Sequence, residues 1–231
     1  MNAAGRRVLA IPMKDLVNAK QRLVPALGAE ERGALATAML EDVLGAVAHA
    51  RLDAVWVITG DAAVTAIARR FGATVVTEAE NRGHTAAVAD GQARARNEGT
   101  TVFATIPGDV PCVTAAEIDA LVSVVTTAPG VALAPSRSGL GTNGVALAPP
   151  DALSLRFGEP SFDAHLASAR ARGLTPRILR LPGLGLDIDD PSDLAALLVE
   201  GRATRSARLV ASWQLEARTP SSDARHPSGR A

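Results

Sequence analysis

Cysteine is nearly absent from this chain of 231 residues, and tyrosine is absent altogether. The single cysteine, Cys112, excludes a disulfide within the chain and any zinc site built from several cysteines. With four Phe, two Trp and no tyrosine, the chain has few rings on which nucleic-acid bases could stack. Binding of single-stranded nucleic acid is therefore not expected as its main activity.

The chain also lacks an excess of charge of either sign, since 24 Lys and Arg residues balance 24 Asp and Glu residues. Proteins that bind nucleic acid through its phosphates normally carry a basic excess, so we expect no nucleic-acid partner. No apolar run approaches the roughly 18 residues that a membrane-spanning helix needs, and MNAAGRR lacks a following signal-peptide core. We expect a soluble, cytoplasmic protein without a membrane partner.

Short apolar runs alternate with longer helical patterns along most of the chain. The apolar runs predict strands at 8–13, 54–59, 74–77, 101–107, 131–135 and 144–150. Four strand–helix alternations predict right-handed crossovers and a mainly parallel sheet with helices on both faces. Because ligands bind beyond the carboxyl ends of strands in such sheets, the important loops are 13–22, 60–61, 78–84 and 108–113.

The composition changes after Gly201, where six arginines face only Glu216 and Asp223 over residues 202–231. The full length is about one and a half times a typical domain of roughly 150 residues. We therefore predict one domain over residues 1–201 and an arginine-bearing C-terminal tail over 202–231 that is largely disordered. A short amphipathic helix around 205–215 remains an alternative for the start of that tail.

Three cations, Lys14, Lys20 and Arg22, lie in the segment that follows the first predicted strand. Such side chains hold phosphate oxygens, arginine through paired hydrogen bonds and lysine as a point charge. The segment contains neither a GxxxxGK[ST] P-loop nor a GxGxxG dinucleotide fingerprint. A solvated, lysine-rich loop would explain the same residues, so both interpretations stay open.

Aspartates that could bind a divalent cation occur at two places in the sequence. Asp109 comes just after the fourth strand, where it could hold a divalent cation whose shell substrate phosphates complete, or simply form a turn. Asp187 and Asp189 project to the same side of an extended segment, and a bound Mg²⁺ would relieve their mutual repulsion. Asp190 is expected to cap the next helix, with Pro191 at its first position.

Two polar turns could bind an anion. Thr142 and Asn143 offer hydroxyl and amide donors in the glycine-rich turn 139–144. Gly158 and Ser161 precede a helix whose N-terminal amides favour anions, although a plain loop with a serine cap is an alternative. His165 in that helix is expected to pack rather than to bind substrate, and no histidine pair has metal-ligand spacing.

Six motifs occur in one order over about residues 7–200: IPMKDLVNAKQRL, AMLEDVL, the Asp-Val-Pro loop at Asp109, Gly-Thr-Asn at Thr142, FGEPSFDAH and LGLDIDDPSDL. Together they resemble the guanylyltransferases of coenzyme F-420 biosynthesis. The resemblance implies a Rossmann-like nucleotidyltransferase fold of glycosyltransferase-A type, an α/β three-layer sandwich with a mostly parallel mixed sheet. It also implies that an acceptor phosphate attacks the α-phosphorus of GTP and that pyrophosphate leaves. The implied acceptors are 2-phospho-L-lactate, phosphoenolpyruvate or 3-phospho-D-glycerate.

The resemblance further implies residue roles. The GTP phosphates would be held by Lys14, Lys20 and Arg22. Mg²⁺ would be bound by Asp109 together with Asp187 or Asp189. The phosphorylated acid would be held by Thr142, Gly158 and Ser161, and residues 78–84 would lie near the nucleotide.

Other functions remain as alternatives. Another nucleotidyltransferase of this fold would use CTP, ATP or a sugar phosphate, but sugar-nucleotide enzymes usually start with LAGGxGxR rather than IPMKDLVNAKQRL. A regulatory domain would bind the nucleotide without turnover. A glycosyltransferase would need Asp-x-Asp after the fourth strand, where only Asp109 is present. Association into a homodimer is left open.

Overall fold

Seven strands form one mixed sheet in a computed structural model of the chain, which describes residues 5–16, 20–78, 80, 82–125, 127–158, 160–201 and 203–215. The strands are β1 Arg7–Pro12, β2 Ala54–Thr59, β3 Thr74–Thr77, β4 Val102–Thr105, β5 Gly130–Pro135, β6 Thr142–Ala148 and β7 Arg177–Ile178. Their order is β3-β2-β1-β4-β6-β5-β7. Strand β6 is antiparallel to β4 and β5, and the other described pairs are parallel. The mostly parallel mixed sheet predicted from the sequence is confirmed.

Helices cover both faces of this sheet. Their bounds are α1 Ala29–Val47, α2 Ala62–Arg70, α3 His84–Asn97, α4 Ala115–Ser123, α5 Phe162–Ala171, α6 Pro182–Gly185, α7 Pro191–Glu200 and α8 Arg205–Ser212. Helices α1, α2 and α4 pack on one face, and α3 and α5 on the other. Within the described residues, none of the helices is both long and apolar enough to cross a membrane.

Alternation along the strands sends apolar side chains to both faces. In β1, Leu9 and Ile11 join the core under α1, whereas Val8 and Ala10 join the core under α3. Because both faces are covered, the strands carry nearly continuous apolar runs, as buried parallel strands do. This is why the runs marked the strands so clearly in the sequence.

Side-chain caps fix where several helices begin. The carboxylate of Asp61 accepts from the backbone N–H groups of Ala63 and Val64 and starts α2. Asp190 accepts from Ser192 N–H at the start of α7, with Pro191 at the first helical position. The capping role predicted for Asp190 is confirmed.

The reversed direction of β6 positions the site. The carboxyl ends of β1 and β4 lie at one edge of the sheet, and antiparallel β6 begins at that same edge. Thr142, the first residue of β6, is opposite Pro135 at the end of β5. The turn that precedes β6 therefore meets the loops that follow β1 and β4.

Helix α8 lies within the segment predicted as a tail. It packs Ala207 and Val210 into an apolar cluster with residues of α1 and α7, including Met39 and Leu197. The Asp42 carboxylate of α1 accepts hydrogen bonds from the first residues of α8 at 2.7–2.9 Å. The predicted tail therefore contains a helix, Arg205–Ser212, that packs onto the domain, while the disorder predicted for residues 216–231 falls outside the described residues.

Truncation tests the contribution of α8. A chain that ends at Gly201 should lose at least about 3 kcal/mol of unfolding free energy, because the apolar side chains of α8 no longer cover α1 and α7. A chain that ends at Leu215 should keep the stability of the full chain, because the residues removed include few apolar ones. Urea unfolding measures both. Equal midpoints for the two truncations would contradict a stabilising role for α8.

Candidate active site

Two neighbouring cavities open at the sheet edge where β1 and β4 end. The first cavity measures about 540 Å³ and follows β1; its polar lining includes Lys14, Lys20, Arg22, His84, Asp109 and Asp189. The second cavity measures about 720 Å³ and lies beside the start of β6; its lining includes Thr142, Asn143, Phe157, Gly158, Ser161 and Asp187. Arg22, His84 and Asp189 line both cavities, so the two spaces share a wall.

Lys20 and Asp109 line the first cavity next to Asp189, and these three residues form the first-cavity side of the shared wall. The Nζ of Lys20 donates to Asp109 Oδ2 at 2.5 Å and to Asp189 Oδ1 at 2.8 Å. The Lys20 side chain is 8% exposed, whereas the side chains of Asp109 and Asp189 are 28% and 43% exposed. Burial alone would lower the pKa of Lys20, but the two carboxylates outweigh it and hold the pKa above its ordinary value. One ammonium group thus neutralises carboxylates from two distant stretches of the chain.

Backbone contacts hold these two stretches together. The carbonyl oxygen of Asp109 accepts a hydrogen bond from the backbone N–H of Ile188 at 3.1 Å. The Asp193 carboxylate accepts from the backbone N–H groups of Asp189 and Asp190 and fixes the turn before α7.

Lys20 adopts left-handed backbone angles, φ 56° and ψ 48°, just before a 3-10 turn over Gln21–Leu23. Such a conformation is uncommon for a residue with a side chain, and here it accompanies the placement of Lys20 in the shared wall.

Asp187 and Asn143 form a second polar contact beside this wall. Asn143 Nδ2 donates to Asp187 Oδ1 at 3.0 Å and also to the carbonyl oxygens of Leu184 and Gly185. Burial raises the pKa of Asp187, although the hydrogen bond from Asn143 opposes that effect. The amide of Asn143 is held by two backbone oxygens and donates to the carboxylate of Asp187, so it fixes the position of that carboxylate. The role predicted for this amide as a donor to an anionic ligand stays a prediction.

The remaining predicted cations and Gly158 lie on the cavity walls. Lys14 is exposed at the mouth of the first cavity. Arg22 is 70% exposed, and its Nη1 lies 3.9 Å from Asp189 Oδ2. Gly158 lines the second cavity with φ +124°, a backbone conformation that favours glycine. The structure therefore brings all the predicted site residues to the two cavities.

Thr142, Ser161 and His165 form a buried cluster beneath the second cavity. Ser161 Oγ donates to Thr142 Oγ1 at 3.2 Å, and His165 Nδ1 lies 3.0 Å from the same oxygen. The first amides of α5, those of Ser161 and Phe162, donate to the carbonyl oxygen of Leu140. These two amides are consequently engaged within the protein. The hydroxyl groups of Thr142 and Ser161, which line the second cavity, are therefore the groups that could contact a ligand there.

His84 lies at the end of loop 78–84, which was expected near the nucleotide, but it was not itself predicted as a site residue. It begins α3 after Gly83, lines both cavities, and its ring centroid lies 4.5 Å from that of Phe157. Burial lowers the pKa of His84, an effect that the Asp109 carboxylate opposes and Lys14 reinforces. The signal in the sequence was its position at the end of a loop that follows a strand at the ligand edge.

The first cavity offers charged groups both for phosphate oxygens and for a divalent cation. Its lining has three cationic side chains, Lys14, Lys20 and Arg22, and three carboxylates, Asp15, Asp109 and Asp189, of which Lys20 pairs with the last two. Among the described residues, no group of three or more His, Cys, Asp or Glu side chains forms a metal site by itself. Two carboxylates are still the protein share that Mg²⁺ takes when substrate phosphates supply further oxygens.

Replacement of Lys20 by methionine tests the ion pairs in the shared wall. Lys20→Met leaves Asp109 and Asp189 close together without their counter-charge, so the unfolding free energy should fall. Because both carboxylates retain solvent contact, we expect a loss of about 1–2 kcal/mol rather than that of a fully buried pair. Lys14→Met changes an exposed side chain in the same cavity and should cost less than about 0.5 kcal/mol. Equal losses in urea unfolding would show that the ion pairs of Lys20 contribute nothing.

Comparison with known proteins gives the chain a family. The profile described as "Guanylyl transferase CofC like" matches residues 7–226, further than the 7–200 span of the sequence motifs. A phosphoenolpyruvate guanylyltransferase of Sphaerobacter thermophilus is 40% identical over 191 residues, which is 82% of this chain and 91% of that protein. A 2-phospho-L-lactate guanylyltransferase of Methanothermobacter thermautotrophicus is 35% identical over 200 residues, 87% of each chain.

The fold has solved counterparts as well. A crystal structure from Desulfovibrio desulfuricans G20, assigned as a nucleotide-diphospho-sugar transferase, superposes with a TM-score of 0.77 at 14% identity over 93% of this chain and 98% of that one. At that identity the likeness shows the fold alone, and it agrees with the predicted nucleotidyltransferase sandwich. The profile match over nearly the whole chain and relatives well above 30% identity show more: this chain belongs to the CofC-like guanylyl transferases.

Proposed function

We propose that this guanylyltransferase transfers GMP from GTP to phosphoenolpyruvate, with release of pyrophosphate, in coenzyme F-420 biosynthesis. The observation that carries the proposal is the wall shared by the two cavities, in which Lys20 joins Asp109 to Asp189. A cation-lined space on one side suits a triphosphate, and a space with hydroxyl groups on the other suits a small phosphorylated acid. The bond between them would form at the wall.

The main barrier to this reaction is the approach of two polyanions. At about 4 Å each pair of unit charges repels by roughly 1 kcal/mol in water and several-fold more in a drier site. Lys14 and Arg22 on the cavity lining would offset this repulsion and hold the triphosphate in line with the acceptor. The acceptor phosphate is already ionised near neutral pH, so the reaction needs no general base from the chain.

The residues of the wall also fit a divalent cation. Asp109 and Asp189 both contact the one ammonium group of Lys20, so they are close enough to share a single cation. Mg²⁺ prefers such oxygens together with phosphate oxygens, and when bound it would screen charge on the α-phosphate as a Lewis acid. Lys20 would then give up its carboxylate contacts, which leaves its ammonium group available to hold a phosphate. Asp187, kept in place by Asn143, would supply a further nearby oxygen.

Two considerations favour phosphoenolpyruvate among the three acids. The relative at 40% identity carries the name of that acid, whereas the one named for 2-phospho-L-lactate is 35% identical. In addition, the flat ring of Phe157 lines the second cavity and contacts the ring of His84 at a tilt of 60°. The planar carbon skeleton of phosphoenolpyruvate suits such a wall, whereas the free hydroxyl of 3-phospho-D-glycerate, placed against it, would lack a hydrogen-bond partner.

The test is an assay of pyrophosphate release with GTP, Mg²⁺ and each of the three acids. We expect the highest kcat/KM with phosphoenolpyruvate, and little release with CTP or ATP in place of GTP. Preference for another acid would refute the choice of acceptor and leave guanylyl transfer intact. Nucleotide binding without release of pyrophosphate from GTP in the presence of any of the acids would instead favour the regulatory alternative.

Asp109→Asn tests the carboxylate in the wall. The change keeps the shape of the side chain but removes the charge that Lys20 and a divalent cation share, so pyrophosphate release should fall at least about 100-fold. Asp193→Asn is a matched control, because Asp193 caps the nearby turn without contacting Lys20, and it should keep most of the activity. An Asp109→Asn enzyme of normal rate, with an unchanged unfolding midpoint, would refute the role of this carboxylate.

A further inference from the structure

His165 holds a fixed place below the second cavity. It lies four residues after Ser161, so both side chains are on the same face of α5, and it is only 2% exposed. Its ring makes one hydrogen bond at each nitrogen, to the backbone N–H of Arg156 and to the hydroxyl of Thr142. These two contacts determine which nitrogen carries the proton.

The contact with Arg156 determines the tautomer. The backbone N–H of Arg156 donates to Nε2 of His165 at 3.0 Å, so Nε2 must carry a lone pair. A neutral ring then has its proton on Nδ1, which lies 3.0 Å from Thr142 Oγ1. Burial lowers the pKa of His165, which agrees with a neutral ring at physiological pH. His165 is consequently a donor to the Thr142 hydroxyl oxygen.

The Thr142 oxygen receives a second hydrogen bond from Ser161 Oγ at 3.2 Å. A hydroxyl oxygen has two lone pairs, and the donors from His165 and Ser161 use both. Thr142 is left with its own O–H, for which the described residues provide no acceptor. Since Thr142 lines the second cavity, that hydrogen is available to a ligand there.

We propose that His165 is a positioning residue that orients the Thr142 hydroxyl as a donor to an anionic oxygen of the phosphorylated acid. The inference rests on the proposed function, because it takes the second cavity as the acid site. His165 itself does not touch the acid; it acts through Thr142. The arrangement selects for ligands that accept a hydrogen bond at this point, such as a phosphate or carboxylate oxygen, and against a ligand that presents a donor.

Nitrogen-15 NMR of the histidine rings tests the hydrogen-bond assignment in the wild-type protein. The chain has four histidines, and the signals of His165 are identified by their loss in His165→Asn. We expect a neutral ring with its proton on Nδ1 at pH 7.5. A proton on Nε2, or a doubly protonated ring, would overturn the inference without any bearing on guanylyl transfer.

Two substitutions of His165 separate its two contacts. His165→Asn places an amide nitrogen near the position of Nδ1 and can still donate to Thr142. His165→Gln reaches the position of Nε2 and can accept from Arg156 N–H, but it cannot donate to Thr142. We expect KM for phosphoenolpyruvate to rise about 10- to 100-fold in His165→Gln, the range for one hydrogen bond to a charged group, and much less in His165→Asn. KM for GTP should stay within about twofold in both.

Thr142→Val completes the design, because it removes the hydroxyl and keeps the shape of the side chain. If His165 acts through Thr142, the double variant Thr142→Val/His165→Gln should be no worse for the acid than Thr142→Val alone. Additive losses, or a normal acid KM in folded His165→Gln, would overturn the inference while guanylyl transfer by the wild type stands. If the wild type transfers GMP to none of the acids, the proposed function fails and the inference fails with it.

Discussion

The site depends on one buried ammonium group placed between two carboxylates. Asp109 and Asp189 come from segments 80 residues apart, and their like charges would separate the two loops without a cation between them. Lys20 supplies that cation at a cost, since it is buried and its backbone is left-handed. The hydrogen bond between Asp109 and Ile188 keeps the loops in register. In the proposed function, the same carboxylates would share a divalent cation when the ammonium group binds a phosphate.

The direction of a single strand explains why two ligands can meet at this point. In a wholly parallel sheet, the turn before a strand lies at the edge opposite to the ligand loops. Because β6 is antiparallel to β4 and β5, its first residue, Thr142, lies at the ligand edge instead. The cluster of Thr142, Ser161 and His165 thereby faces the loop that carries Asp109 across a shared wall. The proposed guanylyl transfer would use this arrangement, with one anion on each side of Asp109 and Asp189.

Much of the fold could be predicted because its signals are local. Apolar runs bounded by glycine, proline and polar loops marked β1 to β6, and the cap at Asp190 marked the start of α7. The two residues of β7 are too few to show a period, so this strand was missed. Helix α8 was left as an alternative because its stability comes from Asp42 and the apolar face of α1, which are more than 160 residues away in sequence.

The sequence by itself determined the types of residue that the chemistry needs and the loops that carry them: cations after β1, Asp109 after β4, and the aspartates before α7. These follow from residue chemistry and from the rule that strand ends form ligand edges. Only the tertiary structure determined which hydrogen-bond partners these polar side chains have. In the folded protein Lys20 donates to Asp109 and Asp189, and the Asn143 amide donates to Asp187 and to backbone oxygens. His165 forms a hydrogen bond with Thr142. A hydrogen bond is short and directional, so its partner depends on distances between segments that sequence spacing does not contain.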